Sequence, residues 1–256
     1  MTSTGLFPGE FAVVTGSASN IGRGVALALA REGAHVLLAD INAEGNAATA
    51  SMIAAAGGTS EVLNVDLSTR DGWPRIIAAL GDRTPHMLVH AASPARREVD
   101  HALAVTEEIW DRMVNTNVRN GFFLARAIAE RMQAATIKGR IAFITSLHAN
   151  TPRNLPHYSA SKAGQTMVVK ELARALGPHG IRVNAIAPGA IPGGGFNAGA
   201  YDWGGKIPLG RMGTADDIAA MAMALLSDRF SSYVTGTTVE VDGGLALFNW
   251  IAPNGG

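Results

Sequence analysis

The chain has no cysteine. That removes a disulfide framework, a thiolate zinc centre and a cysteine nucleophile in one step. Charge of one sign is also missing, since 21 lysines and arginines balance 21 aspartates and glutamates. Nucleic-acid binding needs an uncompensated basic face, so no such partner is expected. Charged residues make up only 16% of the chain, against 47% hydrophobic residues. That balance builds a core and does not suit a disordered chain. Met1-Thr2-Ser3-Thr4-Gly5 lacks a basic patch followed by an apolar core. The expectation is therefore a soluble, cytoplasmic protein without a signal peptide. The longest uncharged stretch, 183–201, is interrupted by Pro188, Pro192 and five glycines. It does not read as a membrane span.

What is present is an alternation. Apolar runs at 11–15, 34–40, 61–66, 87–91, 140–145, 181–187 and 238–241 read as strands. Helical patterns fill 21–31, 43–56, 71–80, 107–132, 158–176 and 215–226. In the first of these, Ile21, Val25 and Leu29 form one apolar stripe. The first, second, fourth and sixth runs are nearly continuously apolar, as strands covered on both faces are. Strand–helix–strand repetition predicts a parallel sheet with right-handed crossovers. No linker divides the chain, so one doubly wound α/β domain over 1–256 is expected. It would carry an irregular lid at about 189–213 and an apolar tail at 245–256.

The first strand runs into Thr15-Gly16-Ser17-Ala18-Ser19-Asn20-Ile21-Gly22-Arg23-Gly24, with a helix behind it. A glycine-rich turn there lets backbone approach a pyrophosphate, and the helix N-terminus offers N–H groups and a positive dipole end. The second strand ends at Asp40, 18 residues beyond Gly22. A carboxylate at that place can accept from both ribose hydroxyls of NAD and repels the 2′-phosphate of NADP. It could instead cap the next helix, as could Asn42. Asp66-Leu67 ends the third strand, where the carboxylate could meet an adenine amino group or cap the helix near Asp71.

A second cluster comprises Ser146, Tyr158 and Lys162. Tyr158 and Lys162 are four apart on a helical segment and share a face. Ser146 follows the fifth strand, on the edge where open α/β sheets bind ligands. A free phenol titrates at about 10, too high for a base at neutral pH, but an adjacent ammonium favours the phenolate. Such a phenol exchanges a proton with an alcohol or a carbonyl, while a nicotinamide carries the hydride. The bland alternative is an exposed tyrosine beside a solvated lysine.

From about Gly9 to Gly244 the sequence resembles the short-chain dehydrogenases/reductases. The resemblance is carried by the Thr15–Gly22 turn, Tyr158-Ser-Ala-Ser-Lys162-Ala163-Gly164, Asn184-Ala-Ile-Ala-Pro188-Gly189, Gly210-Arg211-Met212-Gly213 and Val241-Asp242-Gly243-Gly244. It implies a Rossmann-type seven-stranded parallel sheet in the order 3-2-1-4-5-6-7, NAD(P) dependence and a homotetramer. It also implies roles. Asn117 would hold a water in a proton relay, with Asn115 the runner-up, and Ser146 would orient the substrate. Tyr158 would be the acid/base, and Lys162 would bind the nicotinamide ribose and lower the pKa of the phenol. The implied cofactor set is Gly16, Ser19, Asn20, Ile21, Asp40, Asp66, Leu67, Ala91, Lys162, Pro188, Gly189 and Ile191.

Four departures stand out. Asn20 replaces the middle glycine of the turn, and asparagine tolerates left-handed geometry best among non-glycines. His90-Ala91-Ala92-Ser93 replaces Asn-Asn-Ala-Gly, which removes polar side chains expected to tie the sheet edge. Gly193, within Gly193-Gly194-Gly195, replaces a threonine, so a hydroxyl is lost and the lid is expected to gain freedom. The Ser146–Tyr158 separation of 12 is one shorter than usual.

Ser93-Pro94-Ala95-Arg96-Arg97 and the loop 147–154 should border the substrate, with His148 and Arg153 as contacts. Their polarity favours a sugar or polyol; a carboxylate or phosphate held by an arginine is the alternative. These side chains could also face solvent or another subunit. No metal is expected at His148 or His157. Phe196, Tyr201 and Trp203 lie in the lid, and the tail Leu245-Ala-Leu-Phe248-Asn249-Trp250-Ile251 would pack on another subunit. The expected activity is NAD-dependent interconversion of a secondary alcohol and its ketone or lactone. The competitors are a 3-oxoacyl thioester reductase and a non-catalytic NAD-binding regulator.

Overall fold

The computed structural model describes residues 5–97, 99–193, 203 and 205–247. Seven strands form one parallel sheet in the order β3-β2-β1-β4-β5-β6-β7. They are β1 (Phe11–Thr15), β2 (His35–Asp40), β3 (Thr59–Asn64), β4 (Met87–His90), β5 (Arg140–Ile144), β6 (Arg182–Pro188) and β7 (Thr238–Val241). Every residue of β1, β4, β5 and β6 is buried. Register is in step across the centre, with Val13 of β1 opposite Leu37 of β2 and Leu88 of β4.

Alternation along β1 divides the core in two. Ala12 and Val14 face α1 (Asn20–Arg31), α2 (Ala43–Ala55) and α7 (Ala215–Leu226), through Val25, Leu29, Ile53, Ile218 and Ala222. Phe11 and Val13 face α3 (Gly72–Leu80), α5 (Gly121–Ala134) and α6 (Pro156–Leu176), through Ile76, Leu124, Ile128 and Val169. With both faces covered, the central strands carry no polar stripe.

Three differences from the sequence reading have physical reasons. The third strand lies at 59–64 rather than 61–66, because pairing begins at Thr59 opposite His35, directly after the Gly57–Gly58 turn. As an edge strand it is half exposed, so hydrophobicity marks it poorly. The continuous helix expected at 107–132 is broken. α4 (Glu107–Val114) and α5 flank a π-helical segment, Asn115–Asn120. Its wider ladder accommodates the inward side chains of Asn117 and Asn120, both fully buried. α6 also starts two residues early, at Pro156, whose fixed φ suits a first turn.

Candidate active site

The chemistry-bearing residues gather at the C-terminal edge of the sheet. After β1, Gly16 has φ +74°, and a Cβ there would come within 2.7 Å of the Ala92 amide nitrogen. A Cβ on Gly22 would lie 2.0 Å from the Gly16 carbonyl oxygen. Both positions therefore require glycine, and the turn lies flat beneath the cavity. Asn20 has φ +46°, the left-handed geometry expected of it. Ser19 precedes α1 without a side-chain cap, which leaves the first N–H groups of that helix open beside the cavity.

Asp40 is fixed by two backbone donors. Ala18 N–H donates to Oδ2 at 2.9 Å and Asn42 N–H to Oδ1 at 2.8 Å. The helix cap is Asn42, which accepts from Gly45 N–H at 2.9 Å. Asp66 does not cap α3 either; it accepts from Ser68 N–H at 2.7 Å. Asp66 and Leu67 line a side cavity of about 90 Å³ with Gly16, Asp40 and Ile41.

The main cavity measures about 680 Å³, within the range of small-molecule sites. Gly16, Ser19, Asn20, Ile21, Asp40, Ala91, Pro188, Gly189 and Ile191 line one part of it. Ser146, His148, Arg153, Tyr158 and Lys162 line the same cavity, together with Arg96 and Trp203. Asn117 is not on its surface. It is buried behind, with Nδ2 donating to Ser161 Oγ at 2.9 Å and its carbonyl accepting from Gln165 Nε2 at 2.9 Å.

Tyr158 and Lys162 are buried, with Nζ 5.6 Å from the phenol ring centre. Nζ donates to the Ile144 carbonyl at 2.8 Å and to Gln165 Oε1 at 3.0 Å. Burial, and then the charge of Arg96, lower the Lys162 pKa to about 7. The Arg96 guanidinium stands 4.7 Å over the Tyr158 ring centre. Ser146 Oγ accepts from His148 N–H at 3.2 Å.

The replacements named above have structural counterparts. The expected loss of polar ties at His90 does not occur. His90 Nδ1 pairs with Thr15 Oγ1 at 2.9 Å, which joins β4 to β1 through side chains, while Ala92 N–H donates to the same oxygen. Burial, and then the charge of Lys162, push the His90 pKa down to about 3, so the ring is neutral. Gly193 has φ +115°, and a Cβ there would lie 2.5 Å from Asn20 Nδ2. Asn20 therefore takes the space that a side chain at 193 would need. Gly194, Gly195, Phe196, Tyr201, Phe248, Asn249, Trp250 and Ile251 lie outside the described residues. The motifs do not single out Gln165; the available signal was its place one turn after Lys162, polar on a buried helix face.

A phenol and an ammonium that open into the same cavity as a flat glycine turn and a helix N-terminus define a class. It is that of oxidoreductases using a nicotinamide dinucleotide on a CH–OH group. The comparisons agree. A family model described as Enoyl-(Acyl carrier protein) reductase matches residues 16–246. The chain is 33% identical to sorbitol dehydrogenase of Cereibacter sphaeroides, over 95% of this chain and 98% of that protein. It is 32% identical to (3R)-3-hydroxyacyl-CoA dehydrogenase of Canis lupus familiaris, over 92% and 96%. The crystal structure of a Beutenbergia cavernae protein, assigned as an NAD(P)-dependent gluconate 5-dehydrogenase and holding NADP at low occupancy, superposes with a TM-score of 0.88. That pair shares 33% identity over 94% of this chain and 98% of the other. The chain belongs to the short-chain dehydrogenase/reductase family, whose members bind NAD(P).

Proposed function

We propose that the protein interconverts a secondary alcohol of a sugar or polyol with its ketone or lactone, using NAD. The observation that carries this reading is that Ser146, Tyr158 and Lys162 share one cavity with the residues suited to a dinucleotide. Those residues fit the cofactor. The Gly16 and Gly22 positions admit no Cβ, so backbone can approach a pyrophosphate, and the open N–H groups of α1 can receive it. Asp66 and Leu67 suit the adenine end. Ala91, Pro188, Gly189 and the backbone of Ile191 suit the ribose and carboxamide. When bound, the cofactor supplies the hydride acceptor.

The chain's own groups do the rest. Ser146 Oγ hydrogen-bonds the reacting oxygen and holds it at Tyr158. The phenol oxygen takes the alcohol proton, and the Lys162 ammonium favours that phenolate by its charge. Lys162 would also hold the nicotinamide ribose, and Asn117 supports Lys162 from behind through Gln165. NAD is preferred over NADP because Asp40 accepts ribose hydroxyls and repels a 2′-phosphate. The nearby Arg23 offers no rescue, since it donates to the Ala18 carbonyl and to Thr49 Oγ1. The chain works as a single domain and as a cytoplasmic homotetramer, and the lid expected at 189–213 falls partly outside the described residues.

Arg96, His148, Thr151 and Arg153 make the substrate end polar, which favours a hydroxylated substrate over an acyl chain. A second reading has its own support: the position of Arg96 over Tyr158 suits an acidic sugar, whose carboxylate would pair with the guanidinium. The test is reduction of NAD and of NADP with a panel of sugars, polyols, aldonates and 3-hydroxyacyl thioesters, with Tyr158→Phe alongside. Turnover with sugars or polyols and NAD is expected, reduced at least about a hundredfold in the variant, the low end for a lost general base. Turnover confined to thioesters, or to NADP, would overturn the corresponding part. Aldonates favoured over neutral sugars would select the second reading.

A further inference from the structure

Gln165 lies one turn beyond Lys162 on the same face of α6 and is fully buried. Both ends of its amide are committed. Oε1 accepts from Lys162 Nζ at 3.0 Å, and Nε2 donates to the Asn117 carbonyl at 2.9 Å. The orientation follows from chemistry, because an ammonium only donates and a carbonyl only accepts. Gln165 thus spans the gap between the lysine and the π-helical segment. An ammonium has three protons. The Ile144 carbonyl and Gln165 hold two of them, which leaves one for the cavity that Lys162 lines.

That arrangement matters because Lys162 is in an environment hostile to its charge. The titratable groups facing it are Arg96 from the loop after β4, His90 from β4 itself, and Tyr158 on α6. Arg96 repels it, His90 is neutral, and no carboxylate is among them. Two neutral oxygens therefore carry the stabilisation of the ammonium, and Gln165 supplies one of the two. Removing that oxygen favours the free amine over the ammonium, and with that charge goes its support for a phenolate formed beside it.

We propose that Gln165 is a positioning residue for the reaction: its amide oxygen keeps Lys162 protonated and fixed, and through Lys162 it sets how readily Tyr158 gives up its proton. The mechanism rests on the acid/base reading of Tyr158, so its test includes a readout that needs no substrate. Gln165→Met keeps the volume and removes both hydrogen bonds. Phenolate absorbance in the near ultraviolet is titrated on cofactor-free protein, and Tyr158→Phe identifies the Tyr158 component among the three tyrosines. In Gln165→Met the Tyr158 absorbance is expected to develop at higher pH. In the same variant kcat/KM for alcohol oxidation should fall about tenfold at neutral pH, the equivalent of one pKa unit, and recover as pH rises. In a Lys162→Arg background the guanidinium is charged regardless. Adding Gln165→Met there should leave the titration unmoved. An unmoved titration in the single variant, with only the melting temperature lowered, would reduce Gln165 to a strut and overturn the proposal. An equal shift in the arginine background would overturn it too. Gln165→Leu, read in the same way, serves if the methionine variant does not fold. A phenolate shift in a protein that turns over no alcohol would sustain the Gln165–Lys162–Tyr158 coupling while removing the function proposed above.

Discussion

Two buried bases, Lys162 on the cavity wall and His90 behind it, are near each other, and burial acts on both in the same direction. Lys162 is lowered to about 7 and His90 to about 3. For His90 the consequence is acid sensitivity. Its folded pKa is below the unfolded value of 6.5, so the unfolded chain binds the proton first. Stability is whole above 6.5 and declines as pH falls towards 3. Carboxylates with depressed pKa values, such as Glu61 beside Arg83 and Asp217 beside Arg211, lose their stabilisation at lower pH. Their ordinary values are 4.5 and 3.8, and their loss begins only there. Between 6.5 and 4.5 the loss is therefore carried by His90, at up to about 1.4 kcal/mol per pH unit. His157, also lowered by burial, adds to the same window. His90→Asn keeps a polar partner for Thr15 and removes the titration. Urea unfolding at pH 6.5 and pH 4.5 should show a smaller loss of stability in the variant. Parallel losses in the two proteins would mean that His90 does not govern that limb.

At the scale of elements, the turn after β1 and the start of the 189–213 segment are coupled through one contact. Each departure taken alone looks like a weakening: an asparagine where glycine is usual, and a glycine where a hydroxyl is usual. Together they fit, since the Asn20 side chain occupies the space facing Gly193. Gly193→Ala should destabilise the protein and weaken dinucleotide binding, through the clash with Asn20 and through strain at φ +115°. Asn20→Gly should relieve the clash and not the strain. A double-mutant cycle on melting and on NAD binding should give a coupling of about 1 kcal/mol or more, as contacting residues do. Additive effects would dissolve the coupling. Such pairing was beyond the sequence, where the two residues are 173 positions apart. The legible parts were those set by local rules. β1, β7 and α7 lie at the predicted residues, and the glycine-rich turn after β1 and the Tyr158–Lys162 pair are short-range patterns. The π-helical break was not legible, because apolar spacing continues through it. Its cause is tertiary: Asn120 Nδ2 donates to the Leu67 carbonyl at 2.8 Å and to the Thr69 carbonyl at 3.0 Å, about fifty positions away in the chain.

At the scale of the whole molecule, the two edges of the sheet carry different work. The C-terminal edge holds the cavity and its unusual ionisations. The opposite edge holds two buried arginines side by side, Arg140 and Arg182, the paired first residues of β5 and β6. Like charges in adjacent register repel, yet the end of α7 reconciles them. Arg182 donates to the Leu225 carbonyl at 2.8 Å and Arg140 to the Leu226 carbonyl at 2.9 Å. Those are the last two residues of the helix, where free carbonyls and the negative dipole end favour cations. Glu10 pairs with Arg140 and Asp228 with Arg182, which completes the balance. The Arg182 guanidinium, its pKa lowered by burial, thus clamps α7 to the sheet far from the reacting groups. Arg182→Met removes charged hydrogen bonds to the Leu225 carbonyl and to Ser231 Oγ, at a cost of about 1.5–3 kcal/mol, while the Ser231 hydroxyl still donates to that carbonyl. For a chain of this length the melting temperature should fall by roughly 2–4 °C per kcal/mol. Because α7 also packs on α1, whose N-terminus borders the cavity, the variant is a strict test of the division between edges. Steady-state kinetics below the melting range should keep kcat/KM within about twofold, under 0.5 kcal/mol by the conversion of rate to barrier. A larger loss in kcat/KM would mean that the clamp on α7 helps to hold the dinucleotide turn in place, and that the two edges are one mechanical unit.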